Sequence, residues 1–114
     1  MADELGQPHI SYAASKYALT VHARRLAVKI GKTGIRLNTV APGAVETPLH
    51  EASKNDPRFG EAVRNFIAPI GRNGEPNEIA DAVTFLQSSK ASFIHGSVLY
   101  VDGGMDAMMR NGKL

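Results

Sequence analysis

The stretch IRLNTVAPG, residues 35–43, decides which fold this chain is expected to adopt. The side chains of Ile35, Leu37 and Thr39 alternate along the chain with those of Arg36, Asn38 and Val40, which predicts a β-strand over residues 35–41. Pro42-Gly43 ends this strand. A second apolar run, at 97–101, has the character of a buried strand and is broken by Asp102-Gly103-Gly104. The sequence therefore predicts two strands.

The clearest helix lies between these two strands. Pro76 fits the first helical position and Glu78 the third, where a carboxylate meets unpaired backbone N–H groups. The helix is predicted to end near Ser89, with a buried face made of Ile79, Ala82, Val83, Phe85 and Leu86. A strand, a helix and a strand in this order imply a right-handed parallel crossover and hence an α/β fold.

Glycine, proline and capping residues predict the remaining segments. A long helix is expected over 11–32, with Ser11 as its N-cap and with Gly31 and Gly34 as stop signals. We expect residues 1–9 to be irregular, 44–56 to be a loop with one helical turn, 58–67 to be a short helix and 71–75 to be a turn. Because a two-stranded parallel sheet leaves edges and faces uncovered, residues 1–114 are expected to be part of one larger domain, or to need a partner.

Tyr12 and Lys16 lie four residues apart at the head of the long helix. Both side chains are expected on one helical face, which continues as an apolar stripe through Leu19, Ala23, Leu26, Ala27 and Ile30. An ammonium beside a phenol stabilises the phenolate and equips the tyrosine to act as a general acid or base. The alternative is that Tyr12 is ordinary core and that Lys16 extends past it to solvent.

Composition and charge narrow the functional classes. The chain of 114 residues has 43% apolar and 21% charged residues and a net charge of +2, values typical of one small globular domain. It has no cysteine, which excludes disulfides and thiolate chemistry and is compatible with a reducing cytoplasm, the predicted location. No apolar run approaches the ~18 residues of a membrane span, and the acidic start lacks a signal-peptide pattern, so no membrane association is expected.

Neither nucleic acid nor a metal ion is predicted as a partner. The basic residues that cluster near the end of the long helix complement the helix dipole, and no aromatic residues interleave with them: Arg24, Arg25, Lys29, Lys32 and Arg36. The histidines lack the spacing of metal ligands and are interpreted as surface or loop residues: His9, His22, His50 and His95.

Ordered motifs along residues 10–104 resemble the C-terminal half of the short-chain dehydrogenase/reductase family. They are YAASK (12–16), GIRLN (34–38), APGAVETP (41–48), EPNEIA (75–80), HG (95–96) and VDGG (101–104). The resemblance implies part of a Rossmann-like domain with a doubly wound parallel sheet, which moves a hydride between NAD(P) and an alcohol or ketone. A narrower likeness, carried by RLNT (36–39) and DGGMDAMMR (102–110), is to the bacterial 3α-hydroxysteroid dehydrogenase/carbonyl reductase type.

The resemblance also implies roles for individual residues. Tyr12 would be the catalytic acid/base, and Lys16 would stabilise its phenolate and bind the nicotinamide ribose. Pro42-Gly43 would shape the loop under the nicotinamide ring, Val45 would hold the carboxamide through its backbone, and Thr47 would bond the carboxamide or a phosphate. Without their neighbours, Pro42-Gly43 would be read as a plain turn and Thr47 as a solvated hydroxyl. Residues 46–72 would form a substrate lid. The implied cofactor is NAD or NADP, with NAD slightly favoured.

Other features of the family are not found in these 114 residues. No glycine-rich loop joins a first strand to a helix, Gly103-Gly104 is expected to precede no helix, and the family's catalytic serine is not matched by Ser11. The N-terminal dinucleotide-binding half is therefore expected to be absent, and this chain alone to be weakly active at best. Two hypotheses follow: a dehydrogenase lacking its first half, or an inactive remnant that acts through association. Exposed strand edges favour a homo-oligomer under either hypothesis, and the resemblance implies an interface through residues 76–89 and 97–101.

Overall fold

The computed structural model describes residues 8–58, 60–65 and 67–114. The helices are α1 (Pro8–Ile30), α2 (Pro48–Lys54), α3 (Gly60–Asn65), α4 (Pro76–Gln87) and α5 (Met105–Met109). The strands are β1 (Thr39–Pro42) and β2 (Val98–Val101), and a 3₁₀ turn covers Ser89–Ala91. The predicted α/β class is confirmed, and so is the presence of two strands that pair with each other.

β1 and β2 run parallel. Thr39 N–H donates to Ser97 O at 2.9 Å, and Gly43 N–H donates to Val101 O at 3.1 Å, so both strands advance by four residues in the same direction. β1 is shorter than the predicted strand over 35–41, because the backbone before it bonds elsewhere. Leu37, for example, bonds a histidine ring through its N–H and the N–H of Gly96 through its carbonyl.

Helix α1 begins at Pro8, so the predicted N-cap at Ser11 is wrong and Ser11 lies inside the helix. Proline is favoured in the first helical turn, where its missing N–H leaves no partner unsatisfied. Residues 1–9 were predicted to be irregular. Residues 1–7 lie outside the described residues, and the prediction is wrong for Pro8 and His9, which are helical. The predicted stop is confirmed: the helix ends at Ile30, and Gly34 has a φ of 86°.

Helix α2 corrects the predicted loop over 44–56. Thr47 is its N-cap, with the Thr47 hydroxyl accepting the His50 N–H at 3.1 Å, and Pro48 opens the helix. The signal was present in the sequence, because a threonine followed by proline is a common helix start. The short helix predicted over 58–67 is observed as α3, Gly60–Asn65.

Helix α4 begins at Pro76 as predicted, and the Glu75 N–H donates to Glu78 Oε1 at 3.0 Å. The helix ends at Gln87, slightly before the predicted end. Leu86 is buried, but Val83 and Phe85 are 37% and 43% exposed, so the predicted buried face is wrong at these two positions.

Helix α5 contradicts the expectation that Gly103-Gly104 precedes no helix. Gly104 is its N-cap and has a φ of 95°, a conformation in which glycine carries no Cβ penalty. The Asp102 carboxylate provides the acceptors, taking the Gly104 N–H at 3.0 Å and the Asp106 N–H at 2.8 Å. A short helix therefore follows the strand-ending glycines directly.

The chain divides into two compact units. The first comprises the described residues up to Thr39 together with Ser92–Val98, and its buried side chains are Ala23 and Ala27. The second comprises Val40–Ala91 and Leu99–Leu114, with buried side chains at Ala68, Leu86 and Ala91. Among the described helices, none combines the length and the apolar character needed to cross a bilayer.

Candidate active site

Tyr12 and Lys16 share one face of α1, as predicted. The Lys16 Nζ lies 5.3 Å from the centroid of the Tyr12 ring, within the range at which a cation and an aromatic ring attract each other. The ammonium and the phenol are therefore neighbours in this chain, held together by helical spacing alone.

The face that carries this pair is exposed, which corrects the expectation of a continuous inward stripe. Tyr12 is 66% exposed and Leu19 is 58% exposed, whereas Ala23 and Ala27 are buried. Burial of α1 thus begins only in the second half of the helix. Tyr12 and Lys16 lie in the N-terminal, solvent-exposed half of α1.

Polar neighbours of the pair bond within the helix. The Ser15 hydroxyl donates to Tyr12 O at 2.8 Å, and the Thr20 hydroxyl donates to Lys16 O at 3.0 Å. Such bonds to the preceding turn occupy hydroxyl groups that would otherwise compete for a ligand.

The last residue of β1 and the loop that follows it hold the other predicted site residues, in the second unit. A Cβ added at Gly43 would lie 2.8 Å from both Cα and Cβ of Asp102, so only glycine fits at this position. A plain turn at Pro42-Gly43 would not by itself require glycine at position 43, whereas this close contact with Asp102 does. The glycine permits a close backbone approach where β1 and β2 end.

Val45 forms a parallel β-bridge with Gly74. The Gly74 N–H donates to Ala44 O at 2.8 Å, and the Glu46 N–H donates to Gly74 O at 2.9 Å. In this parallel pattern the N–H and C=O of Val45 itself point away from Gly74. The bridge therefore turns the Val45 backbone groups towards the other side of the loop.

The predicted loop residues Pro42, Gly43, Val45 and Thr47 line one groove with a volume of about 500 Å³. Apolar side chains also line it, among them Leu49 and Ile79. All of these residues belong to the second unit, whereas Tyr12 and Lys16 belong to the first. The structure thus assembles the loop residues into one groove and the catalytic candidates into one pair.

Sequence reasoning missed a polar network beside this groove. The Asn73 amide donates to Glu46 Oε1 at 2.9 Å and contacts His50 Nε2 at 3.2 Å, while Lys54 Nζ lies 3.4 Å from Glu46 Oε2. The Asn73 bond, followed by the positive charge of Lys54, lowers the pKa of Glu46 below its ordinary value. Glu46 and Asn73 are 27 positions apart, and no local pattern links them.

Arg72 and Glu78 form a two-point ion pair at the start of α4. Arg72 Nη1 lies 2.7 Å from Glu78 Oε1, and Nη2 lies 2.9 Å from Oε2. The Arg72 bonds, and then the Glu75 N–H, lower the pKa of Glu78 from 4.5 to about 2. The charge of Arg72 and the N–H of Glu75 therefore both stabilise the ionised form of the Glu78 carboxylate.

The Glu78 carboxylate is expected to stabilise the fold above pH 4.5 and to lose that effect as the pH falls towards about 2, because its folded pKa is the lower one. An NMR titration of the Glu78 side-chain carboxyl carbon checks this. Arg72→Met should move the midpoint back towards 4.5, whereas Lys90→Met, which removes a cation elsewhere, should leave it in place. An ordinary midpoint in the unmodified chain would contradict the ion pair.

Thr47→Ala is expected to destabilise α2 by about 1 kcal/mol, because it removes the acceptor of the His50 N–H. Hydrogen exchange of the His50 amide measures this directly, and the rate should rise about fivefold. Thr47→Ser keeps the hydroxyl and serves as the control. Equal exchange in the alanine and serine variants would show that the cap contributes nothing.

Residues 2–106 match a family model whose description is enoyl-(acyl carrier protein) reductase. 3-alpha-hydroxysteroid dehydrogenase/carbonyl reductase from Comamonas testosteroni is 51% identical over 102 residues, which cover 90% of this chain and 40% of that protein. The chain belongs to the short-chain dehydrogenase/reductase family, as its motifs indicated. It spans about 40% of the length of this curated relative.

Solved structures agree with this assignment. The 3-alpha-hydroxysteroid dehydrogenase from Pseudomonas sp. B-0831, complexed with NADH, is 60% identical with a TM-score of 0.90, over 99% of this chain and 44% of that one. A proposed 2-deoxy-d-gluconate 3-dehydrogenase from Agrobacterium tumefaciens with bound NADP is 39% identical with a TM-score of 0.74, over 85% of this chain and 39% of that one. The Rossmann-like fold class is thereby confirmed.

Proposed function

We propose that this chain supplies the acid–base pair and the nicotinamide-side loop of a single NAD(P)-dependent dehydrogenase domain that interconverts a secondary alcohol and a ketone. The observation that carries the proposal is the approach of Lys16 Nζ to 5.3 Å from the Tyr12 ring on an exposed helical face. Membership of a family of oxidoreductases supports it.

In alcohol oxidation, the Tyr12 phenolate takes the hydroxyl proton, the electron pair of the broken O–H bond forms the C=O bond, and the C–H electron pair leaves with its hydrogen as hydride. In ketone reduction, the Tyr12 hydroxyl returns that proton to the carbonyl oxygen. NAD(P), when bound, takes up or supplies the hydride. Lys16 favours the phenolate through its positive charge, and its ammonium would hydrogen-bond the ribose hydroxyls of a bound cofactor.

The groove after β1 fits the carboxamide end of a nicotinamide. Val45 offers a backbone donor and acceptor turned away from Gly74, and the hydroxyl of Thr47 keeps its own proton to donate while it caps α2. Pro42-Gly43 would shape the part of the groove that receives the nicotinamide ring. NAD is slightly favoured over NADP, since the relative with NADH is 60% identical and the one with NADP is 39% identical.

The substrate is proposed to be a hydroxysteroid or a related carbonyl compound. Two 3-alpha-hydroxysteroid dehydrogenases are 51% and 60% identical to this chain, and the groove carries apolar side chains such as Leu49 and Ile79. A flat apolar substrate suits a lining of this kind.

The cysteine-free composition supports a cytoplasmic location.

The test replaces the matching segment of the Pseudomonas sp. B-0831 enzyme by these 114 residues. We expect the graft to oxidise a 3α-hydroxysteroid with NAD, followed by the absorbance of the reduced cofactor. The chain by itself is expected to turn over weakly at best. A graft that folds and binds NADH but does not turn over would overturn the proposed function.

The second candidate function is association without catalysis. The exposure of Val83 and Phe85 on α4 favours it, because apolar residues on one helix suit a subunit contact. Sedimentation of the purified chain over a range of concentrations measures the association itself. A homo-oligomer is expected under both functions, so activity of the graft discriminates between them.

A further inference from the structure

His95 lies in the loop before β2 and bonds backbone through both ring nitrogens. Its Nε2 lies 2.6 Å from Ala27 O, and its Nδ1 lies 3.1 Å from the Leu37 N. A backbone N–H can only donate and a carbonyl can only accept, so Nδ1 accepts and Nε2 carries the proton. The ring is therefore held with its proton on Nε2, in the loop where the sequence placed this histidine.

The bond to Ala27 occurs where the ladder of α1 stops. Gly31, which would donate to Ala27 O in a continuing helix, instead donates to Val28 O at 3.5 Å. The last carbonyls of a helix need outside donors, and Ala27 is only 1% exposed, which leaves little room for water. His95, 68 positions away in sequence, provides that donor.

The same loop is joined to the segment after α1. Gly96 N–H donates to Leu37 O at 2.8 Å. The Asn38 side chain donates to Ile94 O at 3.0 Å and accepts the Ser97 N–H at 3.0 Å. His95 is thus the one side chain of this described loop that bonds both α1 and the residues leading into β1.

We propose that His95 is a positioning residue that sets the direction of α1 and, with it, the place of Tyr12 and Lys16. The helix is continuous over 23 residues, so an anchor at Ala27 acts on its far end as on a rod. Tyr12 lies roughly 22 Å from Ala27 along the axis, and a tilt of about 5° there moves the phenol by about 2 Å. Displacements of about 1 Å at reacting groups cost about 100-fold in rate.

The meaning of this anchor for catalysis rests on the proposed function, but the anchor can be tested without cofactor or substrate. NMR of the ¹⁵N-histidine-labelled chain of 114 residues should show His95 with its proton on Nε2. The Leu37 amide should be protected from exchange, and His95→Ala should raise its exchange rate by about tenfold. A ring with its proton on Nδ1, or without one defined tautomer, would overturn the proposal.

Two further substitutions separate the two bonds. His95→Asn keeps an acceptor near the position of Nδ1 but cannot reach Ala27 O, whereas His95→Gln keeps a donor near the position of Nε2. Residual dipolar couplings should show α1 tilted relative to residues 37–39 in the Asn variant and restored in the Gln variant. His22→Asn, on the exposed side of the same helix, should change nothing.

The orientation of α1 decides between a positioning role and a purely local one. If the couplings of α1 are the same in His95→Asn and in the unmodified chain, His95 does not orient the helix and the proposal fails. If His95→Asn unfolds the chain while His95→Gln keeps the native couplings, the Ala27 bond is the anchor, as proposed. None of these results depends on whether the graft turns over.

Discussion

Tyr12→Phe is expected to lower the turnover of the graft by about 100-fold to 10,000-fold, the range that a general acid or base contributes. The substitution removes the hydroxyl and keeps the ring, so the cation–ring contact with Lys16, 5.3 Å in the present chain, is preserved. Binding of NADH should therefore change little, and the loss should fall on kcat. Steady-state rates with a 3α-hydroxysteroid, beside fluorescence titration with NADH, measure both.

Tyr17→Phe is the matched control, because Tyr17 is also an exposed tyrosine of α1, 71% exposed, but lies on another side of the helix. Its turnover should stay within about twofold of the unmodified graft, since it touches no proposed reacting group. Equal losses in the two variants would assign the effect to helix stability. Equal activity in Tyr12→Phe and in the unmodified graft would remove Tyr12 from the mechanism.

Gly43→Ala is expected to destabilise the chain by about 1–3 kcal/mol, the usual cost of forcing extra volume into a closed contact. The new Cβ would lie 2.8 Å from Asp102 Cα and 3.1 Å from its carbonyl oxygen, and backbone atoms cannot move aside as a flexible side chain does. The pairing between Gly43 N–H and Val101 O should weaken as a result. Urea denaturation followed by circular dichroism measures the loss.

Gly74→Ala provides the comparison within the same unit. A Cβ at Gly74 would lie 3.7 Å from Ala44 O and 3.9 Å from a Val45 methyl, which are ordinary contact distances. This variant should be as stable as the unmodified chain, within about 0.5 kcal/mol. If the two alanine variants have the same midpoint in urea, the close approach of Gly43 to Asp102 is not a constraint on the fold.

Local chemistry made part of this fold predictable. The start of α4 follows from Pro76 and Glu78, whose effects act within one turn, and the structure has the helix beginning there. Tyr12 and Lys16 were paired by helical spacing, and their contact needs nothing beyond the helix. The side on which burial occurs was not predictable in this way, because exposure of Tyr12 depends on what packs against α1.

Long-range bonds account for most of what the sequence did not show. The strand predicted over 35–41 starts late because Leu37 bonds His95, and 58 positions separate the two. Glu46 and Asn73 meet for a similar reason, through the bridge between Val45 and Gly74. Helix α5 was not predicted, because a Gly-Gly pair usually ends a helix or strand. Here the Asp102 carboxylate accepts the N–H groups of Gly104 and Asp106 and so stabilises the first turn of a helix.

The bridge between Val45 and Gly74 holds together the two ends of the segment between them, so that segment can be replaced without moving its ends. Its two ends are fastened side by side, by Gly74 N–H to Ala44 O and by Glu46 N–H to Gly74 O. Doubling the length of a loop whose ends are already joined costs only about 0.6 kcal/mol. Insertions and replacements between these points can therefore diversify the wall of the groove during evolution, while the strand ends that carry Gly43 and Asp102 keep their register.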